Sequence, residues 1–284
     1  MPDTTPPDEG TEMETVTSVD GTEIAYKRTG SGPPLVFVHG SWSSHHDWDD
    51  VTPALAESFR VVAYDRRGHS RSERSPGQVT INDHVNDLGE LIERLGLAPA
   101  WVVGNSFGAS IALRLAATHA DLLCGVIAHE PPLFDLISDD PDVAPLVEED
   151  EKMTATVADR IASEDHEGGA RLFIEFELGP GSWSQLPPDF RATLVENALA
   201  FLDEARDPDQ YAFDPAWLTE FHRPVMLTMG SESPPTYTGV VSRLADTLPA
   251  VEVARFEGAG HLPHMTHPDE YVEATRDFIR RNAQ

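Results

Sequence analysis

Three short segments of this 284-residue chain hold residue types that can do chemistry together. Gly104-Asn105-Ser106-Phe107-Gly108 sets a serine between two glycines, straight after the apolar run Trp101-Val102-Val103 and straight before a helical pattern. A serine on so sharp a strand-to-helix turn presents its hydroxyl above the carboxyl end of the strand. A chance Gly/Ser turn is the plainer reading, and the strand–motif–helix placement weighs against it. A hydroxyl is a poor nucleophile until a base takes its proton. The expected base is His261, in Gly258-Ala259-Gly260-His261, between the last strand and the last helix. His39-Gly40-Ser41-Trp42 follows another apolar run, Leu35 to Val38. A tetrahedral oxyanion needs two fixed donors. The Phe107 N–H is one, and the N–H of Ser41 or of Trp42 is the other. Gly40 lets the backbone approach closely.

These segments need a scaffold, and the hydrophobic pattern describes one. Thr15 to Val19 and Thr22 to Lys27 flank Asp20-Gly21, a hairpin signal. Leu35–Val38, Val61–Tyr64, Trp101–Val103, Gly125–Ala128, Val225–Met229 and Val251–Phe256 read as strands, several as continuously apolar runs suited to a parallel sheet. Helices are expected over Asp47–Ser58, Ile81–Leu95, Phe107–His119 and about Asp269–Arg281. Repeated strand–helix alternation argues for a parallel α/β sheet with helices on both faces. Residues 133–217 break the rhythm. They hold 21 acidic and five basic residues and read as helices and acidic loops inserted between two strands. Residues 1–13 are expected to form a disordered acidic tail.

Composition removes several functions. The chain carries 49 Asp+Glu against 20 Lys+Arg, a formal charge of -29, which disfavours nucleic acid and anionic lipid as partners. No run of about 18 apolar residues is present, so no membrane span is expected, and the start lacks the apolar run of a secretory signal. A cytoplasmic location follows as an expectation. One cysteine makes neither an internal disulfide nor a Cys-based zinc site. Only Lys27 and Lys152 are lysines. An acid-rich, lysine-poor chain suits a salt-rich host, because salt screens self-repulsion. His264 and His267 follow His261, but Pro263 keeps a regular helix from gathering all three on one face, so packing or solvent roles are expected and no metal. No cofactor is expected either. Trp42, Trp48, Phe107 and Phe134 are either pocket or core; Gly40, Trp42 and Phe134 are taken as substrate-binding. Trp183 and Trp217 face either the pocket or the sheet, His45-His46 begin a helix in solvent, and Cys124 is a small buried hydrophobe.

Taken together, the strand followed by His39-Gly40, the segment Tyr64-Asp65-Arg66-Arg67-Gly68-His69-Ser70-Arg71-Ser72, the elbow at Ser106 and the final Gly260-His261 resemble the α/β-hydrolase superfamily over nearly all of residues 14–284. The resemblance implies an eight-stranded, mostly parallel sheet formed by 14–132 and 218–284, with a helical cap at 133–217. It also locates a departure. Many members carry the catalytic acid after the strand equivalent to Val225–Met229, in a G-x-x-D arrangement. This chain reads Gly230-Ser231-Glu232-Ser233-Pro234, with Ser233 at the acid position. Two substitutes remain: Glu232, one residue early, and Glu130, at the end of the strand Val126–Ala128. Glu130 is favoured because it stands at the carboxyl edge of the sheet, where open α/β folds place their ligands.

The expected function is a serine hydrolase of the carboxylic-ester class (EC 3.1) that cleaves a small ester, thioester or lactone. Carbon–carbon bond hydrolysis of a diketone-type substrate is the alternative enzyme reading, and a non-catalytic ligand-binding module is the third. The partner is a small molecule. The sequence leaves monomer and homo-oligomer both open.

Overall fold

The computed structural model describes residues 13–248 and 250–283, so the tail expected at 1–13 lies, Met13 apart, outside the described residues. Strands β1 (Glu14–Thr17) and β2 (Glu23–Thr29) form the expected hairpin, and β3 (Pro34–Val38) follows. Then come α1 (Thr52–Ala56), β4 (Arg60–Tyr64), α2 (Ile81–Arg94), β5 (Ala100–Asn105), α3 (Phe107–Thr118) and β6 (Leu123–His129). Five helices intervene: α4 (Ala144–Ala162), α5 (His166–Leu178), α6 (Ser182–Gln185), α7 (Pro188–Glu196) and α8 (Ala198–Arg206). The chain closes with β7 (Val225–Gly230), α9 (Pro235–Thr247), β8 (Val251–Phe256), α10 (Pro263–Thr266) and α11 (Pro268–Asn282). The eight strands form one sheet in the order β1-β2-β4-β3-β5-β6-β7-β8, antiparallel at β1/β2 and β2/β4 and parallel elsewhere.

Alternation along the strands divides the core. In β3, Val36 and Val38 pack with α2, α3 and α9, while Leu35 and Phe37 pack with α1, α11 and Trp48 on the other face. Helix α2 shows why its span was legible. Ile81, Val85, Leu88 and Ile92 recur at helical spacing, and Thr80 and Asp83 close a capping box at its start. The inserted helices have an apolar cluster of their own, built around Ile161, Leu194 and Phe201, which also takes in Trp42.

Register decides where the chemistry sits. Val38 lies opposite Gly104, Asn105 opposite His129, and His129 opposite Thr228. The carboxyl ends of β3, β5, β6 and β7 therefore form one edge, and His39-Gly40, Ser106, Glu130 and Ser231 are the residues that step off it.

Three sequence expectations need correction. The helix over Asp47–Ser58 is instead a short 3-10 turn, His45–Trp48, and the brief α1, because Pro53 fits only a first helical turn. His45 is buried rather than solvent-facing: its backbone N–H and its Nδ1 both meet the Asp65 carboxylate, at 2.7 and 2.8 Å. Cys124 is only half-buried. Ala100 pairs with Leu123 and Trp101 with Gly125, so Cys124 is the extra residue of a bulge.

Candidate active site

Ser106 sits between β5 and α3 with φ 54° and ψ −124°, a conformation that is strained for a residue with a side chain. The two flanking glycines make it possible. A Cβ on Gly104 would lie 2.4 Å from the Gly108 carbonyl oxygen, and one on Gly108 would lie 2.2 Å from that of Val38. The Ser106 N–H donates to the His129 carbonyl at 2.9 Å, which ties the turn to the next strand end. Phe107 is the first residue of α3. Its N–H has no intrahelical acceptor and stands at the positive end of a twelve-residue helix.

His261 and Glu130 meet across the edge of the sheet. The Nδ1 of His261 donates to Glu130 Oε2 at 2.6 Å, which leaves Nε2 as the accepting nitrogen. Glu130 is fully buried, and its Oε1 accepts the Gly230 N–H at 2.7 Å. Burial opposes its charge, but the His261 hydrogen bond and the neighbouring His129 outweigh that and hold the carboxyl down to about 2. The ring of Tyr237 stacks on His261 at 4.2 Å, and Asn105 Nδ2 donates to the His261 carbonyl at 3.2 Å. Glu232 is exposed. Its backbone N–H bonds the Ala259 carbonyl, and no hydrogen bond joins its side chain to His261 among the described residues. Ser233 keeps a buried hydroxyl close to the Glu130 carboxyl. The structure thus brings Glu130, and not Glu232, to the histidine.

Ser106 and His261 border one cavity of about 420 Å³. The Ser106 hydroxyl faces that space without a hydrogen bond among the described residues. Gly40, Ser41, Trp42, Phe107 and Phe134 all line it. Gly40 is close to the serine: a Cβ there would lie 3.1 Å from Ser106 Cβ. Trp42 takes a positive φ of 67°. The rest of the wall includes six aromatic residues, Phe173, Phe176, Tyr211 and Tyr237 among them, and among the described residues it contains no lysine or arginine. It does contain Asp47, Asp150, Glu177, Glu204 and Glu232. Burial lifts Asp47 to about 6 against a hydrogen bond from Ser43. Burial, helped by the Glu177 charge, lifts Asp150 to about 6 as well.

His129, Glu130 and His261 bring potential metal ligands within 4.8 Å of one another. Their spacing fits a shared proton better than an ion. Ligands around a tetrahedral zinc lie about 3.3 Å apart, whereas His261 Nδ1 and Glu130 Oε2 are 2.6 Å apart. His129 Nδ1 is also taken, by Thr228 Oγ1 at 2.9 Å. Of the other histidines, His264 is buried against Trp48 and Tyr271, and His267 bonds Thr266 Oγ1 at 2.9 Å. Trp183 is buried among the inserted helices, while Trp217 is 47% exposed.

Sequence reasoning missed Tyr237, Asp150, Glu177 and Arg66. The first three reach the cavity from helices whose placement no periodicity encodes. Arg66 lay inside the quoted segment at 64–72, yet nothing local marks it as the buried partner of Glu204, at 2.7 Å.

A sheet of this order, with a serine on a strained strand-to-helix turn at its carboxyl edge, defines a class. The family model for the alpha/beta hydrolase fold matches residues 33–268, and the chain belongs to that family. An uncharacterized hydrolase of Bacillus subtilis is 38% identical over 122 residues, 42% of this chain and 45% of its own. A non-heme haloperoxidase of Rhodococcus erythropolis is 35% identical over 175 residues, 59% of this chain and 60% of its own. The chain thus spans about half the length of these curated relatives. Among solved structures, a malate-bound thermophilic esterase from Thermogutta terrifontis superposes with a TM-score of 0.75 at 25% identity, over 96% of this chain and all of that one.

Proposed function

We propose that this protein is a serine hydrolase that cleaves a small, uncharged carboxylic ester, thioester or lactone through an acyl-enzyme on Ser106. The observation that carries this reading is the 2.6 Å hydrogen bond from His261 to the buried Glu130, on the same cavity as the elbow serine. An ionised carboxylate there holds the proton on Nδ1 and balances the charge of an imidazolium. A module that only binds has no need of so costly a buried charge. The esterase that shares the fold agrees with the reading.

In the first half-reaction Ser106 Oγ bonds to the carbonyl carbon, its proton passes to His261 Nε2, and the carbonyl electron pair moves onto oxygen. The N–H groups of Phe107 and of Ser41, or of Trp42, hold that oxyanion. The intermediate collapses, the bond to the leaving oxygen or sulfur breaks, and His261 returns the proton to the leaving group. In the second half His261 takes a proton from water, the hydroxide adds to the acyl carbon, and Ser106 leaves with its proton restored. Glu130 stays ionised throughout. The helices α4–α8 act as a cap that walls the pocket. Its aromatic lining and carboxylates, without Lys or Arg, favour a neutral substrate and repel an anionic one.

A fluorophosphonate probe tests the serine. Wild type is expected to label, and Ser106→Ala to lose labelling and turnover while keeping its fold. Full activity in that variant would remove the mechanism. Competing p-nitrophenyl butyrate against a p-nitrophenyl ester of a dicarboxylic acid tests the pocket. The neutral ester is expected to win by about tenfold or more in kcat/KM, since each 1.4 kcal/mol of repulsion is tenfold.

A further inference from the structure

The loop that carries Ser41 and Trp42 is not held by its own strand alone. Four of its carbonyl oxygens, at residues 39, 40, 42 and 43, accept hydrogen bonds from buried side chains. Asn197 Nδ2 donates to Trp42 O at 2.9 Å and to Ser43 O at 2.8 Å. Arg66 donates from Nη2 to Gly40 O at 2.8 Å and from Nε to His39 O at 3.1 Å. The same Nη2 is paired with Glu204 at 2.7 Å, both side chains being fully or almost fully buried. His39 joins the set. Its Nε2 accepts the Arg66 N–H at 3.0 Å, so Nδ1 carries the proton and donates to Gly40 O at 2.8 Å.

Asn197 immediately precedes α8, and Glu204 lies on it. Between them Phe201 stacks on the Trp42 ring at 4.4 Å. Positions 197, 201 and 204 are four and seven residues apart, so they share one face of the helix. That face lies on the oxyanion loop. The peptide between Gly40 and Ser41 is trans, since the only cis bond among the described residues is Ala98–Pro99. With its carbonyl turned to Arg66, the Ser41 N–H is turned the other way, and Ser41 borders the cavity. Trp42 sits at φ 67°, where a residue with a side chain stays only if its surroundings hold it.

We infer that α8, through Asn197 directly and through Glu204 by way of Arg66, is the template that keeps the oxyanion loop in its anion-binding shape, so that the inserted helices serve the chemical step as well as covering the substrate. Asn197, Arg66 and Glu204 are then positioning residues; none of them touches the reacting atoms. This inference rests on the serine-hydrolase reading and adds a role for α8 to it.

The test is Asn197→Asp in the full chain. It keeps the side-chain oxygen that accepts the Ser70 N–H at 2.7 Å but removes the two donors to Trp42 and Ser43. Two readouts are compared with wild type: kcat and KM for p-nitrophenyl butyrate, and affinity for a trifluoromethyl ketone, which Ser106 attacks to give an oxyanion without a leaving group. The expected result is a loss of about tenfold or more in kcat, a KM within about twofold, and a parallel loss in affinity for the ketone, as for a weakened oxyanion donor. Glu204→Gln, nearly identical in shape, is expected to show the same split to a smaller extent. Unfolding midpoints identify any variant that fails by not folding, and Glu204→Gln then carries the decision. Unchanged kcat and ketone affinity in a folded Asn197→Asp would overturn the inference and leave the hydrolase reading standing. A rise in KM alone would overturn it too, by reducing α8 to a pocket wall. A wild-type chain that neither labels with fluorophosphonate nor turns over ester defeats the hydrolase reading, and this inference with it.

Discussion

Glu130 is the acid we propose in place of the position after β7 that many members of the family use. It leaves β6 with a positive φ of 45°, and its two oxygens divide their work between His261 and the Gly230 N–H. Glu130→Ala is therefore expected to lower kcat by about a hundredfold or more and to leave a buried N–H unpaired, at a cost of roughly 1–3 kcal/mol. Adding Ser233→Asp to that variant puts an acid at the position many relatives use. Partial recovery of kcat in the double variant is the expected outcome, and an inactive but folded double variant would show that Ser233 cannot reach the histidine. Asp47 gives a pH prediction. Its folded pKa of about 6 stands above the ordinary 3.8, so the folded state holds a proton that the unfolded chain releases between those values. Stability from this group is full below about pH 4 and falls as pH rises through 6. Asp47→Asn should then unfold nearly like wild type at pH 4 and be more stable at pH 7.5, by about 3 kcal/mol on 1.4 kcal/mol per pKa unit; equal midpoints at both pH values would refute this.

Elements bring these residues together by close approach. At the crossing of β3 and α3 the Gly108 site leaves no room, since the atom a Cβ would strike is the Val38 backbone oxygen. Gly108→Ala must push α3 off the sheet and is expected to cost about 3 kcal/mol or more, read from the urea midpoint. Gly239, in α9, is the contrast. A Cβ there meets only Ile137 side-chain carbons at 3.6 and 3.8 Å, ordinary contact. Gly239→Ala should stabilise by about 0.5–1 kcal/mol through helix propensity. The segment 64–72, quoted above as a family mark, has a structural job. Asp65 accepts from His45 and from the Arg71 N–H, and Arg67 forms a bidentate pair with Asp87 at 2.5 and 2.6 Å. Those bonds fold the turn after β4 on itself and bring Arg66 under the loop of residues 39–43.

Over the whole molecule, charge dominates. A formal charge of -29 on 284 residues is a strong self-repulsion in dilute buffer. We propose that the chain is adapted to a salt-rich interior. Its melting temperature is expected to climb steeply from dilute buffer to 2 M KCl, far past the range in which simple screening saturates. Melting indifferent to molar KCl would refute the adaptation. The cavity's own carboxylates share the sign of the surface, so an anionic substrate meets repulsion at long range as well as at the wall.

The sequence by itself determined the sheet, its edge and the two residues that stand on it. Continuous apolar runs specify buried parallel strands, and Gly-x-Ser-x-Gly between a strand and a helix is a local steric demand that needs no distant partner. Glu130 was legible as the favoured of two acids, from its position at the end of β6. Its burial and its bond to His261 came from the packing of β6 beside β7, which turns one carboxylate inward and leaves the other exposed. The face of α8 was not legible at all. Asn197, Phe201 and Glu204 are ordinary residues at the start of and along a short helix, and they acquire meaning only because tertiary folding lays that helix across a loop more than 150 residues earlier in the chain. Local sterics are written in the neighbours of a residue, whereas the partner of a buried polar group is chosen by the whole fold.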